Sequence, residues 1–394
     1  MPKELAYALL TPNALGKSRT GGIISRFTMR TGLELVGTRM IGPGEELVEA
    51  YAQMLERHYE MDSTFKEEGP LLADYVRKRF APDPASGKWQ RVMLLLFEGE
   101  DAVAKVHRAV GPFRASGHSA ETVRDTYGDL VRDEGGRPIW VEPAALTSST
   151  AEATGEVLRL WLGSKDSKHG ILDRLCDLPD DERVEQTLVM LKPDNFKFAS
   201  VRPGIIVDIF SGSGLRIIGA KVHRMSVGQA FDFYGPVREV LRDKLRAPAG
   251  ARARKAIEQE LGCRLDETVE AQLGDLIGPL FGDQQFNQIV SFMSGVPQAE
   301  LADADPAAPG RSRILALVYA GVGAVNKIRD ILGPTDPSKA LPGSVRREYG
   351  ENIMVNAAHA SDSPANAQRE IAIIRAGEDD LATRVAVYYG EGPR

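Results

Sequence analysis

Between residues 192 and 370 the chain places polar side chains where its apolar pattern would put none: Lys192, Tyr234, Arg329, Thr335, Arg346, Asn356, His359, Ser361 and Glu370. Arg329 and Arg346 flank the stretch Leu332-Gly333-Pro334-Thr335-Asp336-Pro337, too rich in glycine and proline to form helix or strand. Cations and a hydroxyl on such a loop can converge on phosphate oxygens. His359 stands in Asn356-Ala357-Ala358-His359-Ala360-Ser361-Asp362-Ser363, with small neighbours that leave it open to a reactant, which makes it a candidate nucleophile. Ser363-Pro364 then has the form of a helix cap followed by a first-turn proline.

Those residues must be held by an ordered frame, and the chain writes that frame twice. Gly22, Gly32 and Gly37 match Gly204, Gly214 and Gly219 at a constant offset of 182. Gly99, Val103, Lys105, Gly111, Pro112, Arg124 and Tyr127 match Gly321, Val325, Lys327, Gly333, Pro334, Arg346 and Tyr349 at an offset of 222. The change of offset places about forty extra residues in the second copy, between Gly219 and Gly321. Each copy runs from a short apolar strand (Leu5 to Leu10; Thr187 to Leu191) through a helix to a second strand (Leu33 to Met40; Leu215 to Val222). A helical stretch, a third strand (Val92 to Phe97; Ile314 to Tyr319), a helix, a Gly/Pro loop, a last short strand and a closing helix follow. This order predicts an α+β fold of two ferredoxin-like, split βαβ domains, each an antiparallel sheet covered by helices, with a helical insert in the second. The expected limits are 1–170 for the first domain, 171–184 for a charged linker and 185–394 for the second, with the insert at 235–283. Within the insert, Val237 to Leu245, Ala253 to Leu261 and Thr268 to Ile277 have amphipathic helical spacing, broken at Ala-Pro-Ala-Gly and Gly-Cys-Arg.

Composition narrows the function classes. The 394 residues carry 49 Lys and Arg against 55 Asp and Glu, a net charge of −6, and 43% are hydrophobic. That is a globular protein with interspersed charge, which argues against nucleic acid as a partner. The longest mostly apolar run, Ile314 to Val325, has 12 residues, short of the ~20 that cross a bilayer, so no membrane role is expected. The N-terminus lacks the pattern of a signal peptide, and the expected location is the cytoplasm. Two cysteines, Cys176 and Cys263, cannot make a disulfide framework or a cysteine-based zinc site.

Taken together, these motifs are those of one family. The second copy closely resembles the nucleoside diphosphate kinases, whose signature Asn-x-x-His-x-Ser-Asp-Ser is found at Asn356 to Ser363. Their opening Lys-Pro-Asp stands at Lys192 to Asp194, and their loop pattern at Arg329 to Pro337 and Pro342 to Arg346. Glu370 follows His359 by eleven residues, as in the family. The resemblance implies ping-pong transfer of the γ-phosphoryl of a nucleoside triphosphate to a nucleoside diphosphate through phosphohistidine at His359. It further implies that Arg329, Arg346 and Thr335 hold phosphates, that Lys192 and Asn356 hold the sugar hydroxyls with Lys192 also near phosphate, and that Tyr234 borders the phosphate path. Glu370, assisted by Ser361, would orient the imidazole, and Mg2+ would arrive with the nucleotide. Phe286 is the best candidate to stack on the base, and a homo-oligomer is a possible assembly.

The first copy resembles the family more weakly. It carries Thr11 opposite Lys192, His107 opposite Arg329, Phe113 opposite Thr335 and Leu146 opposite His359, and keeps only Arg124 opposite Arg346. The first copy is therefore expected to be catalytically dead. A rival reading is a nucleotide-binding regulatory or assembly protein with little or no turnover, its site altered by the insert.

Overall fold

The computed structural model describes residues 3–60, 68–112, 120–168 and 170–390. Phe113 lies outside them. The chain forms two compact units, one comprising Met1–His223 with Leu315–Arg394, the other Arg224–Ile314. The first unit holds the first repeat and the second repeat without residues 224–314.

In the first repeat the sheet strands are β1 (Lys3–Leu10), β2 (Glu34–Ile41) and β3 (Val92–Glu100). A separate hairpin, β4 (Asp129–Arg132) with β5 (Pro138–Glu142), precedes the short fourth sheet strand β6 (Ala145–Leu146). The second repeat supplies β7 (Val184–Leu191), β8 (Arg216–His223), β9 (Ile314–Val322) and β10 (Ala358–Ala360). The sheets run β2-β3-β1-β6 and β10-β7-β9-β8. Renumbered within each repeat, both read 4-1-3-2, the ferredoxin-like order expected from the sequence. Central strands such as Leu94 to Phe97 and Leu315 to Val318 are apolar at consecutive positions because helices or the other repeat cover both faces.

Equivalent elements of the two repeats meet. The helix Thr20–Thr31 packs on the helix Arg202–Ser211, and the edge strands β2 and β8 lie against each other. These pairs are related by the offset of 182, so the contact is two-fold in character, as between identical subunits. It is close because glycine permits it. A Cβ on Gly21 would collide with the Asp208 amide and the Gly204 carbonyl oxygen, and one on Gly204 would meet Gly21 O at 2.5 Å.

The stretch anticipated as a linker is stitched to both repeats: Ile171 bridges Gly219, Leu175 bridges Trp89, and Arg91 pairs with Asp177 at 2.5 Å. The C-terminal helix Leu381–Tyr389, absent from the sequence reading, returns to the first repeat. There Tyr388 Oη donates to Glu98 Oε1 at 2.6 Å, and Leu381 and Val385 join a core built around Tyr51, Phe80 and Trp161.

The second unit consists mainly of the helices Val227–Lys244, Arg246–Leu261 and Glu267–Ser294, each longer than its amphipathic segment predicted. Pro248 sits in the opening turn of the second, where a missing N–H costs nothing, so the Ala-Pro-Ala-Gly stretch starts a helix rather than breaking one. Gly274, Gly278 and Gly282 form a seam against the Arg242–Arg246 backbone; Cβ atoms on the last two would meet Arg246 and Arg242 Cα at 2.7 Å. Asp283 locks the seam by pairing with Arg238 and Arg242 at 2.8 and 2.7 Å.

The inter-repeat contact yields a stability prediction. Gly21→Val forces the two helices apart and should destabilise the chain by about 1–3 kcal/mol, the usual cost of overpacking. Gly16→Ala, where an added Cβ meets nothing within 4 Å, should leave the melting temperature almost unchanged. Equal melting temperatures for Gly21→Val and the unaltered chain would contradict the close contact.

Candidate functional site

His359 is the middle residue of β10, opposite Met190 of β7. The strand is entered through Ala357, whose φ of +69° is unusual for a residue with a Cβ. Ala144, at the same place in the first repeat, has φ of +57°. Since that repeat has lost the histidine, the strained turn serves entry into the strand and is not particular to the chemistry.

From β10 the imidazole reaches the helix Pro364–Ile373, whose N-cap Ser363 accepts a bond from the Asn366 amide with Pro364 in the first turn. Glu370 lies on its inner face. His359 Nε2 donates to Glu370 Oε2 at 2.9 Å, and Ser361 Oγ donates to the same oxygen at 2.6 Å. The Glu370 side chain is 6% exposed and that of His359 is 21% exposed. A buried carboxylate thus selects the tautomer with its proton on Nε2, and the imidazole lone pair is on Nδ1.

The cations stand at graded depth. Arg346 is buried on the short helix Val345–Tyr349; its Nη1 donates to Gly333 O at 3.0 Å and its Nη2 to Ala358 O at 3.1 Å. The Gly/Pro loop is thereby tied to the histidine's strand. Lys192 is also buried, its Nζ donating to Asn356 Oδ1 at 2.7 Å and Met354 O at 3.1 Å. Asn356 passes the link on through Nδ2 to Thr335 O at 2.9 Å and Ile353 O at 2.8 Å. Burial first, and then the charge of Arg346, lower the Lys192 pKa to about 7. Arg329 and Thr335 are exposed. Asp362 is held below the usual carboxylate range mainly by the Asn366 side chain, with Arg329 contributing.

Three bonded groups therefore adjoin along residues 356–361: Lys192 with Asn356 and the Thr335 carbonyl, Arg346 with the Ala358 carbonyl, and His359 and Ser361 with Glu370, while Arg329 lies near Asp362. Tyr234 and Phe286 belong to the helical unit. Both are buried there; the Tyr234 ring lies 5.0 Å from Phe233, and Phe286 has Phe231 at 5.5 Å and the Arg238 guanidinium at 5.7 Å. Phe286 is thus a core residue of that unit as it stands, and a stacking role would require its ring to be uncovered.

Sequence reading passed over Asn195, whose Nδ2 donates to the carbonyls of Lys192 and Ala357, and Arg202, which pairs with Asp194 at 2.8 Å. Asn195 directly follows the Lys-Pro-Asp motif and could have been flagged by adjacency. Arg202, eight residues beyond Asp194, had no such signal.

The first repeat shows the same scaffold with other contents. Thr11 N donates to Ala144 O as Lys192 N does to Ala357 O, and Arg124 Nη1 donates to Gly111 O at 3.0 Å as Arg346 does to Gly333 O. Arg124 also meets a carboxylate of its own chain, Glu68 Oε2 at 3.2 Å. Leu146 is fully buried, and Val157 takes the place of Glu370.

Fold and site together define a class: an α+β protein of ferredoxin-like sheets carrying a histidine–carboxylate pair among buried cations. The family model for nucleoside diphosphate kinase matches residues 282–379. Similar proteins include the nucleoside diphosphate kinase of Bdellovibrio bacteriovorus, 31% identical over 48% of this chain and 92% of the relative, and that of Campylobacter hominis, 30% identical over 50% and 98%. A solved nucleoside diphosphate kinase from Aquifex aeolicus is 26% identical over 48% of this chain and 94% of its own, with a TM-score of 0.30. The chain belongs to the nucleoside diphosphate kinase family, with a second, divergent copy.

The buried lysine sets a pH dependence. With its pKa lowered from 10.5 to about 7, the folded state binds fewer protons than the unfolded chain between those values, so stability at this group rises with pH across that window. Lys192→Met should remove that rise and stabilise the chain near pH 6, measured by urea unfolding at a series of pH values. Parallel pH curves for the two proteins would contradict a titrating Lys192.

Proposed function

We propose that the second repeat is a nucleoside diphosphate kinase with one working site, residues 1–170 being a degenerate copy and 185–394 the catalytic domain. The observation that carries this is the bond from His359 Nε2 to Glu370, which leaves the nucleophilic lone pair on Nδ1. In the first half-reaction Nδ1 attacks the γ-phosphorus of a nucleoside triphosphate. The P–N bond forms, the bond to the β,γ-bridging oxygen breaks, and the nucleoside diphosphate leaves. In the second, a β-phosphate oxygen of another nucleoside diphosphate attacks the phosphohistidine and the P–N bond breaks.

Transfer of a phosphoryl group asks mostly for position and for positive charge around its equatorial oxygens. Arg346, tied to the histidine's own strand, would hold the phosphates together with Arg329 and the Thr335 hydroxyl. Lys192 and Asn356 would take the sugar hydroxyls, and a phosphate near Lys192 would favour its protonated form. Glu370 offsets the positive charge that grows on the imidazole as the P–N bond forms. Tyr234 and Phe286 are assigned to the phosphate path and the base, the latter on condition that its ring is exposed when nucleotide binds.

Among the described residues no three His, Cys, Asp or Glu side chains gather as a metal cage. Magnesium, which bridges phosphate oxygens, would enter with the nucleotide, and no residue here is assigned to it. No helix among the described residues is long and apolar enough to cross a membrane.

Incubation with γ-labelled ATP should leave an acid-labile, base-stable label on the chain, and His359→Ala should abolish both label and exchange. Glu370→Gln should lower kcat by about 10- to 10²-fold, the loss of a hydrogen bond to a charged group. A stable label on the His359→Ala protein would overturn the assignment. Nucleotide binding without any label on the unaltered chain would favour the regulatory reading.

A further inference from the structure

The internal repeat supplies its own control for the arginine that sequence reading missed. Arg19 and Arg202 stand one position apart in the repeat register, Arg19 as the N-cap of its helix and Arg202 as the first residue of the matching helix. Each donates to the carbonyl oxygen of an equivalent tyrosine: Arg19 to Tyr127, and Arg202 Nη2 to Tyr349 at 2.5 Å. That bond persists where the histidine has been lost, so it belongs to the fold. A second bond occurs in the histidine-bearing repeat, where Arg202 Nη2 donates to Asp194 Oδ2 at 2.8 Å. The residue at the position of Asp194 in the first repeat is Asn13, uncharged and bonded to Glu142 and Tyr75.

The added pair lies two residues from Lys192. The Asp194 side chain is 1% exposed, and a buried carboxylate without a partner is costly. Its nearest alternative partner along the chain is the Lys192 ammonium. A Lys192 paired with Asp194 would be turned away from Asn356 and neutralised toward an incoming anion. The same Arg202 lies 5.6 Å above the Tyr349 ring, at the end of the short helix that carries Arg346. One guanidinium therefore braces the turn beneath one buried cation and the helix beneath the other. The turn is also held from the first repeat, where Ser25 Oγ donates to Val201 O at 3.1 Å beside the Gly21–Gly204 contact.

We infer that Arg202 is a positioning residue of the phosphate site: it neutralises Asp194 so that Lys192 stays bonded to Asn356 and available to an external phosphate. This rests on the phosphoryl-transfer reading above.

The test uses the full chain, with inorganic pyrophosphate as the binding probe and steady-state kinetics as the second readout. Arg202→Met should raise the pyrophosphate Kd and the nucleotide KM by about tenfold or more, while kcat changes less than about threefold, since the lost interaction is mainly one of binding. Arg202→Lys, which keeps a cation beside Asp194, should retain most of the affinity. Adding Asp194→Asn to Arg202→Met should return the Kd to within about threefold of the unaltered chain, because no unpaired carboxylate is left to compete for Lys192. A double variant as weak as Arg202→Met alone would overturn the inference and leave Arg202 with only its bond to Tyr349. So would an Arg202→Met protein with lowered melting temperature and unchanged Kd. The pyrophosphate pattern without any phosphohistidine would count against the proposed kinase activity and support the positioning role; phosphohistidine without the pattern would do the reverse.

Discussion

Glu370 Oε2, accepting from both His359 Nε2 and Ser361 Oγ, is the contact on which the site is organised. One buried oxygen fixes the ring's tautomer and at the same time ties β10 to the helix after it. Ser361 reinforces the arrangement from the strand side, its amide donating to Leu188 O at 3.1 Å and its hydroxyl accepting from Leu188 N at 3.4 Å. The imidazole is thus held by β7, β10 and one helix at once. In the first repeat Val157 stands in Glu370's place, and Ser148 bonds to the Tyr7 hydroxyl at 2.8 Å instead. The strand pairing survives there without the carboxylate, so the carboxylate is kept in the second repeat for what it does to the histidine.

The two repeats differ in what each retains. Both keep the sheet order, the positive-φ alanine and the arginine anchored on the glycine loop, because these are conditions of the fold. In the first repeat the matching positions bond to groups of the chain itself. Glu68 sits on Arg124, Tyr75 Oη donates to Asn13 Oδ1 at 2.7 Å, and Glu142 accepts from Asn13 and Lys17. A shared apolar core then welds the C-terminal helix of the second repeat to the first. The pairing of equivalent helices and edge strands places inside one chain a contact of the kind that two identical subunits would make. The first repeat thus acts as a permanent neighbour of the second.

The repeat, the strand order and the polar set of the second half were legible in sequence because they rest on local signals: apolar runs, glycine spacing and a contiguous histidine motif. The helices of the insert were underestimated for two physical reasons. Pro248 lies where a helix tolerates proline, and the seam-facing positions of the long helix are glycines, so its packing side carries no apolar period. The hairpin β4–β5 was missed because exposed strands such as Pro138–Glu142 have no buried face to set an alternation. The packing of 171–184 depends on partners distant in sequence, Trp89 and Gly219, which no local composition reveals. Arg202 was hidden for the same reason. Its meaning appears when Asp194 and Tyr349 are brought beside it and Arg19 is available for comparison.

The most direct measurement is ³¹P magnetic resonance of the phosphorylated full chain under alkaline, unfolding conditions, where phosphohistidine linked through Nδ1 and through Nε2 resonate apart. With Glu370 holding the proton on Nε2, the phosphorus must be bonded to Nδ1 of His359, one group per chain. Phosphorus on Nε2, or on any residue of the first repeat, would contradict the central role given to the Glu370–His359 bond.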